Sequence, residues 1–313
     1  MSQHNLALAR KYFGELHTDK FATTADEIFD ANLILQGPAV PTRSTRGREG
    51  YKTIMARYQS AFPDRKTTVE DWIVEGDKVV GRYTFEGTHT GPLPGIPPTG
   101  KHVKTTGVTI LRIARGKIVE VWSFSDALGM LQQLGVIPSS LAGAGAVPLT
   151  SAQLATQQPT TSSAEPTRLS TDKLKAIATR LYEGLNKREL SIIDELFAPN
   201  YRFYRPASPV PLNREGFKQV RSAYVGTAFP DWHVTVDDLI AENDKVLTRV
   251  RMSGSHKGDF LGVPATGKRV EIEGLDIFRV AEGNIVEHWV QSDALGLLRQ
   301  VGLLPEHAQP QRE

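Results

Sequence analysis

The stretch "GIPPTGKH", Gly95 to His102, sets a glycine and then Gly100-Lys101 at the spacing of a phosphate-binding loop. Such a loop needs backbone N–H groups to cradle phosphate, a hydroxyl after the lysine for magnesium, and a helix that starts where the loop ends. Pro97 and Pro98 have no N–H to give, and His102 stands where the hydroxyl belongs. The "VKTTGVTILRI" that follows is alternating and β-branched, the pattern of a strand. The stretch is instead one half of a repeat, because "GVPATGKR", Gly262 to Arg269, stands 167 positions later.

That spacing extends outward. "AFPD" at Ala61 to Asp64 returns at Ala228 to Asp231, and the register runs ungapped to Pro138 and Pro305 with about half of the paired residues identical. Upstream the match weakens and slips by a residue or so. There "EIFDANLILQ" from Glu27 answers "ELFAPNYRFY" from Glu195, and Arg48-Glu49-Gly50 answers Arg214-Glu215-Gly216. Solenoid repeats are about 20 to 50 residues long, so this period means two copies of a globular domain. The expected domains are 1–138 and 171–307. Residues 139–170, rich in Ala, Gly, Ser, Thr, Gln and Pro, are expected to be a flexible linker, since they have too little apolar surface to repay ordering. The "GAGA" within them, Gly143 to Ala146, follows no strand and lacks the third glycine of a dinucleotide fingerprint.

The 313 residues carry a net charge of +2 with no basic run, which argues against nucleic acid as a partner. Absence of cysteine excludes disulfides and thiolate chemistry. No apolar run reaches the roughly 18 residues of a membrane helix, and "MSQHNLALARKYF" lacks the apolar core of a signal peptide. The expectation is a soluble, cytoplasmic protein with no membrane partner.

Within each copy the amino-terminal part reads as helix: Leu174, Ile177, Ala178, Leu181 and Leu185 form one apolar stripe after the capping sequence "STDK". A short helix over Ile192 to Phe197, a short strand and a third helix follow. The rest is strands, with hairpin corners at Gly76-Asp77 and Asn243-Asp244 and again at Arg115-Gly116 and Glu282-Gly283. The arrangement is α+β: three helices packed on a curved antiparallel sheet, leaving a cone-shaped pocket at its open end.

The runs "GRYTFEGTHTGPLPGIPPTGKHVKTTGVTILRIARGKIVEVWSFSDALGMLQQLG" and "GSHKGDFLGVPATGKRVEIEGLDIFRVAEGNIVEHWVQSDALGLLRQVG" resemble the SnoaL-like polyketide (ester) cyclases, whose cone fold is NTF2-like. The resemblance implies two tandem NTF2-like domains acting on a hydrophobic small molecule without a cofactor. It also implies pairing through the sheets, as an intrachain pseudo-dimer or a homodimer.

For chemistry, the last strand offers Trp122 and Asp126, repeated as Trp289 and Asp293. Residues four apart on a strand share a face, so the expected pocket sets each aspartate beside an indole, where desolvation would raise its pKa for proton transfer. Helix capping is the competing role for the same carboxylates. His89 and His256, in "GTHTG" and "GSHKG", are expected to orient a carbonyl or relay a proton, with a loop hydrogen bond as the alternative.

The copies differ at Thr109/Asp276, Phe124/Gln291 and Val121/His288. Asp276, Gln291 and Phe124 are expected to join the two tryptophans as substrate-binding residues, while His288, opposite Trp289, is expected on the sheet surface or an interface. Copy two is then the better equipped and copy one the more apolar. Family members often carry an acid after the tryptophan, where this chain has Ser123 and Val290. No HExxH or close His pair suggests zinc, and no GxSxG a serine hydrolase, so neither metal nor cofactor is expected. The leading expectation is a cyclase using intramolecular aldol-type chemistry. The alternatives are an epoxide hydrolase of the limonene type, with Gly274 where its arginine should be, and a small-molecule-binding module without catalysis.

Overall fold

The computed structural model describes residues 2–16, 18–38, 44–138, 151–155, 169–206, 208 and 210–305. The chain divides into two compact units, unit 1 built on residues 1–139 and unit 2 on 140–304.

Unit 1 begins with helices α1 (Ser2–Glu15) and α2 (Phe21–Ile28) and strands β1 (Phe29–Gln36) and β2 (Ser44–Arg46). Helix α3 (Arg48–Ala61), strands β3 (Lys66–Glu75), β4 (Lys78–Thr88), β5 (His102–Ala114) and β6 (Lys117–Ser125), and helix α4 (Ala127–Leu134) complete it. On α1, Ala9, Tyr12, Phe13 and Leu16 recur at three- and four-residue spacing and are buried, so the helix exists to cover the sheet with one face. The sheet order is β2-β1-β6-β5-β4-β3.

Unit 2 repeats the plan with α5 (Thr171–Asn186), α6 (Ser191–Leu196), β7 (Phe197–Tyr204), α7 (Arg214–Arg221), β8 (His233–Glu242), β9 (Lys245–Ser255), β10 (Arg269–Ala281), β11 (Asn284–Ser292) and α8 (Ala294–Val301). Its sheet order is β7-β11-β10-β9-β8. The apolar stripe of α5 is buried at Leu174, Ala178, Leu181 and Leu185, and the Ser170 hydroxyl accepts from the Lys173 N–H to cap it.

The hairpin corners fall where the turn residues predict. Gly76 and Asn243 take positive φ of 59° and 57°, and Arg115-Gly116 and Glu282-Gly283 are left-handed at both central positions, as twisted two-residue turns require. The sheets are mixed rather than purely antiparallel, because β1 runs parallel to β6 and β7 to β11. No hairpin joins those strands, so nothing in their connection imposes the antiparallel sense.

Five residues of the expected linker depart from a free tether. Ser151–Gln153 form a 3-10 turn, Leu154 bridges to Leu212, and the Asn213 side chain donates to Ala152 O at 2.7 Å. These contacts satisfy backbone groups that a free tether would leave to water. Residues 139–150 and 156–168 lie outside the described residues, as does the "GAGA" stretch.

Candidate functional site

The concave face of each sheet is identified by what it meets. In unit 1 a cavity of about 120 Å³ is lined by Thr105 and Thr109 of β5, Ser123 and Ser125 of β6, and side chains of α1 and α3. Alternate residues of a strand point to opposite faces, so Trp122 and Phe124 of β6 point away from it. The same alternation in unit 2 turns His288 inward, against Tyr201, Phe203, Phe217 and Phe278, and turns Trp289 and Gln291 outward. Trp289 stacks on Tyr204 of β7 with ring centroids 5.2 Å apart.

The expected pocket face is therefore corrected. Trp122, Trp289, Phe124 and Gln291 lie on the outer face, and His288 lies inside. The expected parity, His288 opposite Trp289, is the one observed. The assignment of sides is reversed because both faces are apolar and buried: Val121 and Phe124 are 0% and 1% exposed. Alternation alone then gives no direction.

Inside unit 2 the inward residues form a connected polar group. Tyr182 of α5 donates to Asp276 Oδ2 at 2.6 Å, and Thr248 of β9 lies 2.7 Å from the Tyr182 hydroxyl. His288 Nε2 lies 2.9 Å from Asp276 Oδ1, and the Tyr201 hydroxyl lies 2.9 Å from His288 Nδ1. With one proton per hydroxyl, Thr248 donates to Tyr182 and Tyr182 to Asp276; His288 Nε2–H donates to the carboxylate, and in the singly protonated tautomer so fixed Tyr201 donates to Nδ1. Burial first, and the charge of Asp276 second, hold the Tyr182 and Tyr201 hydroxyls well above pKa 10, so both stay protonated donors.

Asp276 occupies the sheet position that corresponds to a cavity-lining residue of unit 1. Its counterpart in unit 1, Thr109, lines the unit 1 cavity, as does Phe13, the counterpart of Tyr182; Val121, the counterpart of His288, belongs to the packed core. Tyr182, Tyr201 and Thr248 escape a reading of the sequence, although each differs from its counterpart in copy one (Phe13, Leu33, Gly81). The offset between copies changes along the amino-terminal part, and that conceals the pairing for the two tyrosines.

Unit 1 has another character. Its cavity is edged by Tyr12, Tyr51, Tyr58 and Tyr83, with Arg65 and, as its carboxylate, Asp126. The copy-two counterparts Leu181, Phe217, Val225 and Val250 are apolar, so copy one carries its own polar set and is not simply the more apolar unit. Burial raises the pKa of Tyr12 and Tyr51 and lowers that of Arg65, which donates to Leu16 O at 3.1 Å.

Asp126 and Asp293 each accept from a backbone N–H of the following helix, Gly129 and Gly296, at 2.8 Å, and so cap α4 and α8. Asp126 also lines the unit 1 cavity. His89 and His256 are fully buried and belong to the loops. His89 Nδ1 accepts from Thr99 N and bonds its hydroxyl at 3.1 Å, while the ring packs on Phe62. His256 does the same with Thr266 and Phe229. Burial lowers the pKa of both. Among the described residues no group of three His, Asp or Glu side chains is placed to hold a metal ion, and no helix is long and apolar enough to cross a membrane.

The SnoaL-like polyketide cyclase profile matches twice, over residues 8–134 and 175–301. Among curated proteins, the aklanonic acid methyl ester cyclase DnrD of Streptomyces peucetius is 37% identical over 57 residues, 18% of this chain and 39% of the relative. The match thus covers less than half the length of that relative. Among solved structures, AclR from Streptomyces galilaeus is 28% identical with a TM-score of 0.42, covering 44% of this chain and 86% of its own. IdmH from Streptomyces antibioticus is 35% identical with a TM-score of 0.38, covering 41% and 97%.

Proposed function

The chain belongs, in both halves, to the SnoaL-like polyketide cyclase family, and we propose that it closes a ring in a hydrophobic, ester-bearing carbonyl compound by acid/base catalysis, with Asp276 of unit 2 as the base. The observation that carries this reading is the hydrogen-bonded group around Asp276 on the concave face of unit 2. A carboxylate accepting two hydrogen bonds keeps lone pairs free to take a proton, and its donors fix its orientation. His288 and Tyr182 are positioning residues, and Tyr201 and Thr248 hold them in turn.

In the proposed step Asp276 takes a proton from the carbon between two carbonyls, the carbanion attacks a third carbonyl of the same chain, and the proton returns to the new alkoxide. The cycle is redox-neutral and needs no co-reactant. Folding the substrate inside the cone contributes through orientation, up to roughly 7 to 11 kcal/mol in favourable cases. The curated relative DnrD is named as a methyl ester cyclase, which supports an ester-bearing substrate. Unit 1, whose cavity carboxylate Asp126 is bound to a helix end, is read as a binding unit for an apolar, phenol-compatible ligand.

The test is deuterium uptake from solvent into the α-carbon of an aromatic β-keto ester, corrected for the uncatalysed rate. Asp276→Asn, checked for folding by near-ultraviolet circular dichroism, is expected to lower the catalysed rate about 10²- to 10⁴-fold. Asp293→Asn is expected to change it less than about threefold, because an amide oxygen still caps a helix. Loss of exchange with Asp293→Asn and its survival in Asp276→Asn would return the base to the final aspartate.

A further inference from the structure

We propose that Arg221 is the oxyanion-binding residue of unit 2, and that the substrate it serves is a 1,3-dicarbonyl compound held as its planar enolate. The proposal rests on the assignment of Asp276 as the base.

Its first support is position. Helix α3 of unit 1 is a continuous α-helix of 14 residues, Arg48–Ala61, and its Ile54 and Met55 line the cavity. In unit 2 the corresponding span, from Arg214 to Ala228, is one residue longer, and the surplus is taken up by a π-helical segment, Ser222–Ala228. Counted forward from the shared Arg-Glu-Gly, Arg221 falls at the place of Met55. Counted back from the shared Ala-Phe-Pro-Asp, it falls at the place of Ile54. By either count the residue takes the place of an apolar side chain that lines the unit 1 cavity, at the point where the helix changes its winding.

The second support is that Arg221 has no hydrogen bond or ion pair among the described residues. Its Nε is buried with no hydrogen-bond acceptor, and it makes no ion pair among the described residues. Other cations of the same helix are served: Lys218 reaches Asp194 at 2.6 Å and Arg214 reaches it at 3.5 Å. Burial, the largest effect, draws its pKa down to about 10, and the nearby Asp276 carboxylate opposes that shift. A buried guanidinium N–H without an acceptor is costly to keep, and an anionic ligand repays that cost.

The chemistry fits the position. When the C–H bond breaks, its proton goes to the Asp276 carboxylate and its electron pair spreads onto the carbonyl oxygens. Negative charge developing on oxygen in a water-poor site is stabilised most by a fixed donor already aimed at it. Tyr182 is committed to Asp276 and His288 to Asp276 and Tyr201, which leaves Arg221. The two oxygens of a 1,3-dicarbonyl enolate lie side by side in one plane and match the guanidinium fork.

The test uses benzoylacetone and the full-length chain. The enolate absorbs in the near ultraviolet apart from the enol, so titrating the bound ligand reads its apparent pKa. The wild type is expected to lower it by at least one unit, roughly a tenfold preference for the enolate. Arg221→Met is expected to abolish the shift, and Arg221→Lys, which keeps charge but not the fork, to retain part of it. Asp276→Asn should keep or deepen the shift while losing α-proton exchange. Folding of each variant is checked by near-ultraviolet circular dichroism. An unchanged shift in Arg221→Met, no shift in the wild type, or no saturable binding overturns the proposal. Exchange that is independent of Asp276, with an Arg221-dependent shift intact, overturns the assignment of the base instead.

Discussion

At five corresponding positions the two units fill one sheet design with opposite chemistry: Phe13, Leu33, Gly81, Thr109 and Val121 in unit 1, against Tyr182, Tyr201, Thr248, Asp276 and His288 in unit 2. The changes are interdependent. Gly81 has no room for a side chain, because an added Cβ would meet the Phe13 ring at 2.5 Å. Thr248 is accommodated at that place in unit 2, where its hydroxyl lies within hydrogen-bonding distance of Tyr182. A carboxylate at position 276 is tolerable only with donors on both oxygens, and each donor is buried enough to need a partner itself. Once the acid is removed, the whole set can revert to apolar residues, and unit 1 has the complete apolar version apart from the Thr109 hydroxyl, which bonds Ser123 at 3.0 Å.

Breaking the set piecemeal should therefore cost more than replacing it. Tyr182→Phe takes a donor from Asp276 and a partner from Thr248 at once, and is expected to destabilise by about 1–3 kcal/mol. Tyr201→Phe, which strands His288 Nδ1, is expected to fall in the same range of about 1–3 kcal/mol. The quintuple exchange to Phe, Leu, Gly, Thr and Val should cost clearly less than the sum of the five single changes. Urea unfolding of the full chain measures this. Additive single effects would mean that the five positions do not act as one group.

The structure also separates what the sequence could convey from what it could not. Duplication, element order and hairpin corners were legible because each is a local or periodic signal: the 167-residue repeat, the apolar spacing on α5, the turn residues at 76 and 243. The direction of the concave face was not legible. On β6 the alternation sets Trp122 and Phe124 against Val121, Ser123 and Ser125, which favours the aromatic side as the interior. The cavity lies on the serine side, because that is where α1 and α3 pack, and no local pattern encodes which face helices distant in sequence will cover. Asp276 and His288 did stand out, as differences between copies. Their partners on α5 and β7 were hidden by the changing offset, and Arg221 by the extra residue that becomes a π-turn.

The helix caps sharpen the comparison from the opposite side, because there the units are alike. Asp126→Ala and Asp293→Ala each remove one acceptor from the first turn of α4 or α8, and each should cost about 1 kcal/mol, within roughly 0.5–2. The corresponding Asn variants should retain most of that stability. Urea midpoints of the four variants check the equality. A much larger loss at Asp126 than at Asp293 would show that the cavity-lining carboxylate of unit 1 has a second structural task.

The smallest expected effect also tests likeness rather than difference. Both loop histidines are buried and bonded through Nδ1 to a threonine, and burial lowers both pKa values below the ordinary 6.5. Well above pH 6.5 each is neutral whether folded or not, and neither contributes a slope. As the pH falls below 6.5 the unfolded chain takes up protons that the folded one refuses, so stability declines until the folded pKa is passed. Carboxylates held low by hydrogen bonds, Asp64 by Thr88 and Asp231 by Ser255, start to lose their contribution only near 3.8 and below, so they do not account for a slope near pH 6. Thermal midpoints between pH 7.5 and 5 should therefore fall with acidity, and His89→Asn should remove about as much of that slope as His256→Asn. If only one substitution flattens the profile, the two loops are not equivalent. If neither does, the acid sensitivity belongs to another group.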